Sequence, residues 1–108
     1  MQFSEYQKAS RRTRHPDQPR KDMLINAALG LSGETGEISD MLKKHLFQGH
    51  ELDTIELGKE VGDVLWYLAL LCDALHFDLG VMAMLNVEKL KKRYPNGFSV
   101  FDSVNRKE

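Results

Sequence analysis

The chain has 108 residues and a formal net charge of −1, with 29% charged residues of both signs. This length predicts one domain, residues 1–108, large enough for a hydrophobic core. The mixed charge gives no broad basic field and argues against duplex DNA or RNA as the main partner, while small anionic ligands are not excluded.

The single cysteine also bears on the class of protein. Cys72 lies in the apolar run of residues 64–72, which predicts a buried and reduced thiol.

The N-terminal residues show no basic stretch followed by an apolar one, and no apolar run reaches the length of a membrane span. We therefore expect a cytoplasmic protein that is not embedded in a membrane.

Hydrophobic periodicity predicts an all-α fold, a helical bundle of about four helices. The predicted helices span about residues 4–14, 22–47, 54–77 and 79–93. Ser4 and Asp22 are candidate N-caps of the first two, and the third begins after Asp53 or Thr54. A turn at residues 95–97 ends the fourth helix and leaves a short apolar tail.

The middle of the third helix, residues 64–72, is apolar on nearly every side. Four helices cannot easily surround one of their own number, so we expect another copy of the chain to cover this stretch, including Trp66 and Leu70. The alternative is that the first helix and the tail complete the burial. We favour a homo-oligomer.

Two pairs of acidic residues lie on successive helices: Glu34 with Glu37, and Glu60 with Asp63. A helix advances about 100° per residue, so side chains three residues apart project from the same side. Glu34 falls on the apolar stripe of the second helix, where an unpaired carboxylate is costly. Four converging carboxylates repel one another unless divalent cations lie between them. The pattern therefore predicts a metal site.

Glycines flank both acidic pairs: Gly30, Gly33, Gly36, Gly58 and Gly62. Each costs about 1 kcal/mol relative to alanine inside a helix, and such violations tend to mark functional or closely packed places. We infer that the helix backbones approach closely there and let the carboxylates converge. Helix packing without a function is the alternative, but it leaves Glu34 on an apolar stripe unexplained.

A second polar strip follows the fourth helix, where Asn86, Lys89 and Arg93 share one flank. Opposite a carboxylate cluster, such cations suit a ligand that carries its own negative charge and binds with the metal, as polyphosphates do. Lys44, two turns beyond Glu37, is a further candidate. Taken singly, each cation also fits an ordinary surface position.

The ligand chemistry narrows the choice of metal. Oxygen donors favour Mg²⁺, with Mn²⁺ also suitable, over zinc. Such ions neutralise charge on phosphate oxygens and lower the pKa of a bound water. The predicted chemistry is hydrolysis of a phosphate ester or anhydride.

Three segments carry a resemblance to a known family. Residues 28–37 read ALGLSGETGE, residues 60–67 read EVGDVLWY, and residues 86–95 read NVEKLKKRYP. In their order and glycine context they resemble the MazG-type all-α nucleoside triphosphate pyrophosphohydrolases. The resemblance spans most of the chain.

The resemblance implies Mg²⁺-dependent cleavage between the α- and β-phosphates of a nucleotide, giving a nucleoside monophosphate and pyrophosphate. It implies that the four acids, Glu34, Glu37, Glu60 and Asp63, hold the metal and form the catalytic site. Lys89 and Arg93 would contact phosphates, and Asn86 would be a polar contact to the substrate. It also implies a dimer or tetramer of helical protomers.

Other functions share the same acidic helix pattern. A dimeric dUTPase-like or dCTPase-like hydrolase and a phosphoribosyl-ATP pyrophosphohydrolase are the nearest enzymes. A non-catalytic helical dimerisation module is an alternative from a different class. Base recognition varies within the family, and Arg14, His15 and Tyr67 are only candidates for it.

Overall fold

In the computed structural model, residues 1–106 are described, so the last two residues of the predicted domain 1–108 lie outside the described range. The fold is all-α, as predicted. Its helices are α1 (Phe3–Ser10), α2 (Arg20–Phe47), α3 (Thr54–Ala74), α4 (Leu79–Arg93) and α5 (Val100–Val104), and a single 3₁₀ turn, Arg11–Thr13, follows α1.

Most predicted boundaries are confirmed, and the exceptions have local causes. Asp53 caps α3 by accepting hydrogen bonds from the backbone N–H groups of Ile55 and Glu56, each at 3.1 Å. This helix ends at Ala74 rather than near Phe77, because His76 adopts a left-handed φ of 58° that turns the chain.

The predicted N-caps of the first two helices are wrong. Gln2 occupies the cap position of α1, and the hydroxyl of Ser4 instead donates to Asp78 Oδ1 at 3.1 Å, joining α1 to the start of α4. Pro19 occupies the cap position of α2, so Asp22 lies in the first turn of that helix, where a negative charge is favourable. The apolar tail forms α5 instead of an irregular end.

Helices α2 and α3 form a hairpin that contains most of the core. A short loop joins them, and they pack against each other more extensively than any other pair of helices among the described residues. Both helices contribute fully buried residues: Ala27 lies on α2, and Ala69 and Leu70 lie on α3. The small side chains of Ala27 and Ala69 leave room for the larger Leu70 between the two helices.

Helix α1 also packs on α3, which changes one expectation. Leu70 is completely buried within the protomer, and Trp66 is half-buried. The prediction that another chain is needed to cover Leu70 is therefore wrong. Val61 and Leu68 on the same helix still expose their side chains.

Helices α4 and α5 form an arm that is joined to the rest of the molecule by contacts of α4 with α1 and α3. In the described part of the chain, no residue of either helix is buried. Large apolar side chains project from the arm, including Phe101 and Val104, which are 73% and 76% exposed. The Cα radius of gyration is 17.1 Å, whereas a compact domain of this length has one of about 13 Å.

Within residues 1–106, no single helix is both long and apolar enough to cross a membrane. Helices α3 and α4 meet those requirements of length and composition only when taken together, and the chain bends by 99° between them.

Candidate functional site

Three of the four predicted acids converge between α2 and α3. Glu34, Glu60 and Asp63 each place a carboxylate oxygen within 4.8 Å of the other two. Glu34 lies on α2 and the other two lie one turn apart on α3, so the helix period sets the pair and the hairpin packing adds the third. The first two are half-buried and Asp63 is exposed. The predicted convergence is confirmed for these three residues.

Glu60 is the acid of this cluster whose pKa is raised by its neighbours. The carboxyl groups of Glu34 and Glu60 lie close enough to share a proton, and this contact, then burial and the charges of Glu34 and Asp63, raise the pKa of Glu60. When both groups are ionised, neither has a hydrogen to donate. Glu60 Oε2 is buried, and no donor within the described residues reaches it.

An orphaned buried carboxylate oxygen is costly in free energy unless a proton or a cation meets it. Three oxygen ligands around one space, with Oε2 of Glu60 lacking a donor, fit a divalent metal ion. The donor set is hard and entirely oxygen, which suits Mg²⁺ or Mn²⁺ better than zinc. These residues therefore fit the type of ion that the sequence predicts.

A cleft of about 360 Å³ opens beside the acids. It is lined by Thr13, Glu34, Asp63, Trp66 and Tyr67. The two aromatic rings meet edge to face, with centroids 5.0 Å apart and an interplanar angle of 82°. Tyr67 is on the acidic flank of α3, as predicted, and the cleft combines carboxylates with an aromatic wall.

Gly30 explains how Tyr67 fits against α2. A Cβ atom at residue 30 would lie 2.2 Å from Tyr67 Cε1 and 2.4 Å from Cδ1 and Cζ, so the ring occupies the space that a side chain would fill. The nearest neighbour of this glycine is therefore an aromatic ring, and not the helix backbone that was predicted. The close approach predicted at the other four glycines is wrong: apart from the adjoining residues and backbone of the same helix, no described atom lies within 4 Å of a Cβ at Gly33, Gly36, Gly58 or Gly62.

The remaining predicted site residues do not line this cleft. Glu37 is exposed and lies outside the group of three acids. Lys44 forms an ion pair with Asp40 at 2.9 Å, and this contact raises the pKa of Lys44. Asn86, Lys89 and Arg93 all belong to α4, on the extended arm. The roles of these five residues remain predictions.

The structure also adds residues that the sequence did not indicate. Thr13 and Trp66 line the cleft, and Tyr6 is close enough to the acids that, after burial, the charge of Asp63 raises its pKa. Trp66 was indicated only as an apolar residue of α3. Tyr6 and Thr13 are distant from both acidic motifs in the sequence, and no local spacing marks them.

The fold and the site together define an all-α protein with a carboxylate cluster suited to a divalent cation. The MazG nucleotide pyrophosphohydrolase domain matches residues 24–98. The chain belongs to this family, as its motifs indicated.

One curated relative extends the comparison. The chain is 38% identical over 87 residues to the gene 37 protein of Mycobacterium phage L5, and the match covers 77% of this chain and 76% of that protein. No solved structure matches the chain.

Proposed function

We propose that this protein is a Mg²⁺-dependent nucleoside triphosphate pyrophosphohydrolase that cleaves the α–β phosphoanhydride and releases a nucleoside monophosphate and pyrophosphate. The observation that supports it most is the convergence of Glu34, Glu60 and Asp63 beside an aromatic cleft, in a chain of the MazG family. Fold alone does not define a reaction, so the proposal depends on the chemistry of this site.

The three carboxylates would hold the metal, and Glu37, one helical turn from Glu34, is the candidate for a fourth ligand. When bound, Mg²⁺ neutralises phosphate charge and lowers the pKa of a water that attacks phosphorus. The chain itself supplies fixed oxygen ligands on two rigid helices. Positions on packed helices are held more accurately than positions on loops.

Trp66 and Tyr67 would hold the nucleoside part of the substrate. Both rings line the same cleft as Glu34 and Asp63. Stacking on an aromatic ring contributes about 1–3 kcal/mol per base and accepts any base, because every base has a π-face. We therefore expect these rings to favour nucleotides over inorganic polyphosphate, with the choice of base set elsewhere.

A homo-oligomer, a dimer or tetramer, is the second part of the proposal. The protomer exposes 8085 Å² of surface, whereas a compact monomer of this mass exposes about 6,100 Å². The excess of about 2,000 Å² is more than the roughly 800 Å² that each partner buries in a standard interface. Self-association through the apolar surface of the α4–α5 arm would remove this excess surface from water.

We propose that Lys89 and Arg93 contact phosphates, that Asn86 is a polar contact and that Lys44 assists them. Since none of these residues lines the cleft of its own protomer, α4 of a second copy is the element that would bring the first three to it. Mixing inactive Glu60→Gln protomers with Lys89→Ala protomers tests this directly. Recovered activity in the mixture supports a shared site, and its absence contradicts one.

The activity is tested by incubating the protein with a panel of ribo- and deoxyribonucleoside triphosphates and Mg²⁺ while measuring pyrophosphate release. Including dUTP, dCTP and phosphoribosyl-ATP separates the alternative enzymes. EDTA and the Glu60→Gln variant should each abolish release, with the helical content of the variant unchanged by circular dichroism. Wild-type protein that binds Mn²⁺ but cleaves no nucleotide would support the non-catalytic alternative.

A further inference from the structure

A network of charged and polar side chains surrounds Asp73, in the last turn of α3. Its carboxylate accepts hydrogen bonds from Gln7 Nε2 at 2.7 Å, from Arg11 Nε and Nη2 at 2.9 and 2.8 Å, and from Arg14 Nη1. The side chains of Asp73 and Arg14 are only 11% and 10% exposed. These bonds tie α1 and the segment after it to the end of α3.

The network continues from Arg14 to the cleft. The guanidinium carbon of Arg14 lies 6.0 Å from the ring centroid of Trp66, within the range of a cation–π contact. Trp66 Nε1 in turn donates a hydrogen bond to Thr13 Oγ1 at 2.9 Å. Thr13 and Trp66 both line the cleft beside Glu34 and Asp63. A continuous series of contacts therefore joins Asp73 to the wall next to the acids.

The position of this wall depends on side-chain contacts more than on helix packing. Thr13 belongs to a single 3₁₀ turn, and Arg14 follows it in extended conformation. Such short segments have little stability of their own. The buried guanidinium of Arg14 needs a counter-ion, because an unpaired buried charge is strongly unfavourable.

The protonation equilibrium of Asp73 agrees with this geometry. Burial alone would raise its pKa, but the hydrogen bonds from Arg11, Arg14 and Gln7 outweigh burial and hold the pKa well below its ordinary value. Asp73 is therefore ionised at neutral pH and available as the counter-ion of Arg14.

We propose that Asp73 is a positioning residue for the nucleotide: through Arg14 it holds Trp66 and Thr13 as the wall of the cleft beside the metal-type acids. It does not line the cleft itself. The inference rests on the proposed function, because it concerns how that substrate is held.

The test compares Asp73→Asn with Asp78→Asn in the full chain. Asp78 is a matched control, since it also joins α1 to a helix end, accepting from Ser4 Oγ at 3.1 Å and from Val81 N at 3.0 Å, and no described contact links it to Arg14 or Trp66. Trp66 is the single tryptophan of the chain, so intrinsic fluorescence reports on this wall without requiring activity.

For Asp73→Asn we expect a red-shifted Trp66 emission and easier quenching by acrylamide. The KM for the nucleotide should rise by about three- to thirtyfold, corresponding to loss of one or two oriented aromatic contacts, while kcat stays within about threefold. The affinity for Mn²⁺ should not change, because the three acids are outside the network. Asp73→Glu, which keeps the charge, should recover part of the loss.

The inference would be overturned by Trp66 emission in Asp73→Asn equal to that of the wild type, or by an equal rise in KM for Asp78→Asn. The first would show that the wall does not depend on Asp73, and the second that general destabilisation is responsible. Failure of the wild-type protein to bind any nucleotide would remove the proposed function as well. Wild-type hydrolysis with unchanged kinetics in Asp73→Asn would remove only this inference.

Discussion

Replacing Gly30 with alanine adds a methyl group where the ring of Tyr67 already lies. The new Cβ would be 2.2 Å from Tyr67 Cε1, whereas carbon atoms in contact prefer separations of about 3.5–4.0 Å. Either the ring must rotate into the cleft or the two helices must separate. Gly33, one turn along α2, is the matched control, since apart from the adjoining residues and backbone of α2 no described atom lies within 4 Å of a Cβ there.

Two opposing contributions set the change in the free energy of unfolding for each glycine-to-alanine variant. Replacing glycine with alanine in a helix interior stabilises by about 1 kcal/mol, and this gain is common to both positions. Forcing an extra methyl group into packed surroundings costs about 1–3 kcal/mol, and this cost applies only at Gly30. We expect Gly33→Ala to raise the free energy of unfolding by about 1 kcal/mol, and Gly30→Ala to leave it unchanged or lower it by up to about 2 kcal/mol.

The measurement is urea unfolding followed by far-UV circular dichroism, at one protein concentration because self-association contributes to stability. Removing the ring with Tyr67→Ala should let Gly30→Ala gain stability as Gly33→Ala does, giving a coupling energy of about 1–3 kcal/mol in the double-mutant cycle. Equal stabilisation by Gly30→Ala alone and by Gly33→Ala would contradict a steric conflict between residue 30 and the ring of Tyr67.

The remaining predictions concern individual side chains. Glu37→Gln should lower pyrophosphate release by more than about tenfold and weaken Mn²⁺ binding, as loss of a metal ligand does. Near-normal rates of release would mean that the other three acids are sufficient to bind the metal and support catalysis. Asp73→Asn should lower the free energy of unfolding by about 3 kcal/mol at pH 7. The folded-state pKa of Asp73 is depressed, so the difference in free energy of unfolding between wild type and Asp73→Asn should be constant above about pH 5. It should shrink as the pH falls below about 4, because the unfolded chain takes up the proton first. Urea titrations across that range would show no such decrease if Asp73 were unpaired. Lys89→Ala should reduce kcat/KM by the equivalent of about 1.5–3 kcal/mol. Lys91→Ala should leave kcat/KM nearly unchanged, because Lys91 lies on another side of α4. Equal reductions in kcat/KM for the two variants would indicate general electrostatics only.

Local patterns in the sequence predicted the helices well, since hydrophobic periodicity and capping residues are encoded within a few neighbouring positions. Helix α4 begins and ends at the predicted residues, and Asp53 caps α3 as expected. The same periodicity placed Glu60 and Asp63 on one flank, and Glu34 on an apolar stripe that faces its partner helix. The convergence of these three acids followed from helix geometry and the cost of an isolated buried charge.

Tertiary packing decided the rest of the site. Thr13 and Trp66 are 53 positions apart in the chain, and their hydrogen bond forms where the segment after α1 lies against α3, next to the ion pair of Arg14 with Asp73. Packing also gave Leu70 its cover within one protomer and placed α4 on an extended arm, so that its cations lie outside the cleft. A helix period relates residues within one element, but it carries no information on which distant segment or second chain comes to lie against it.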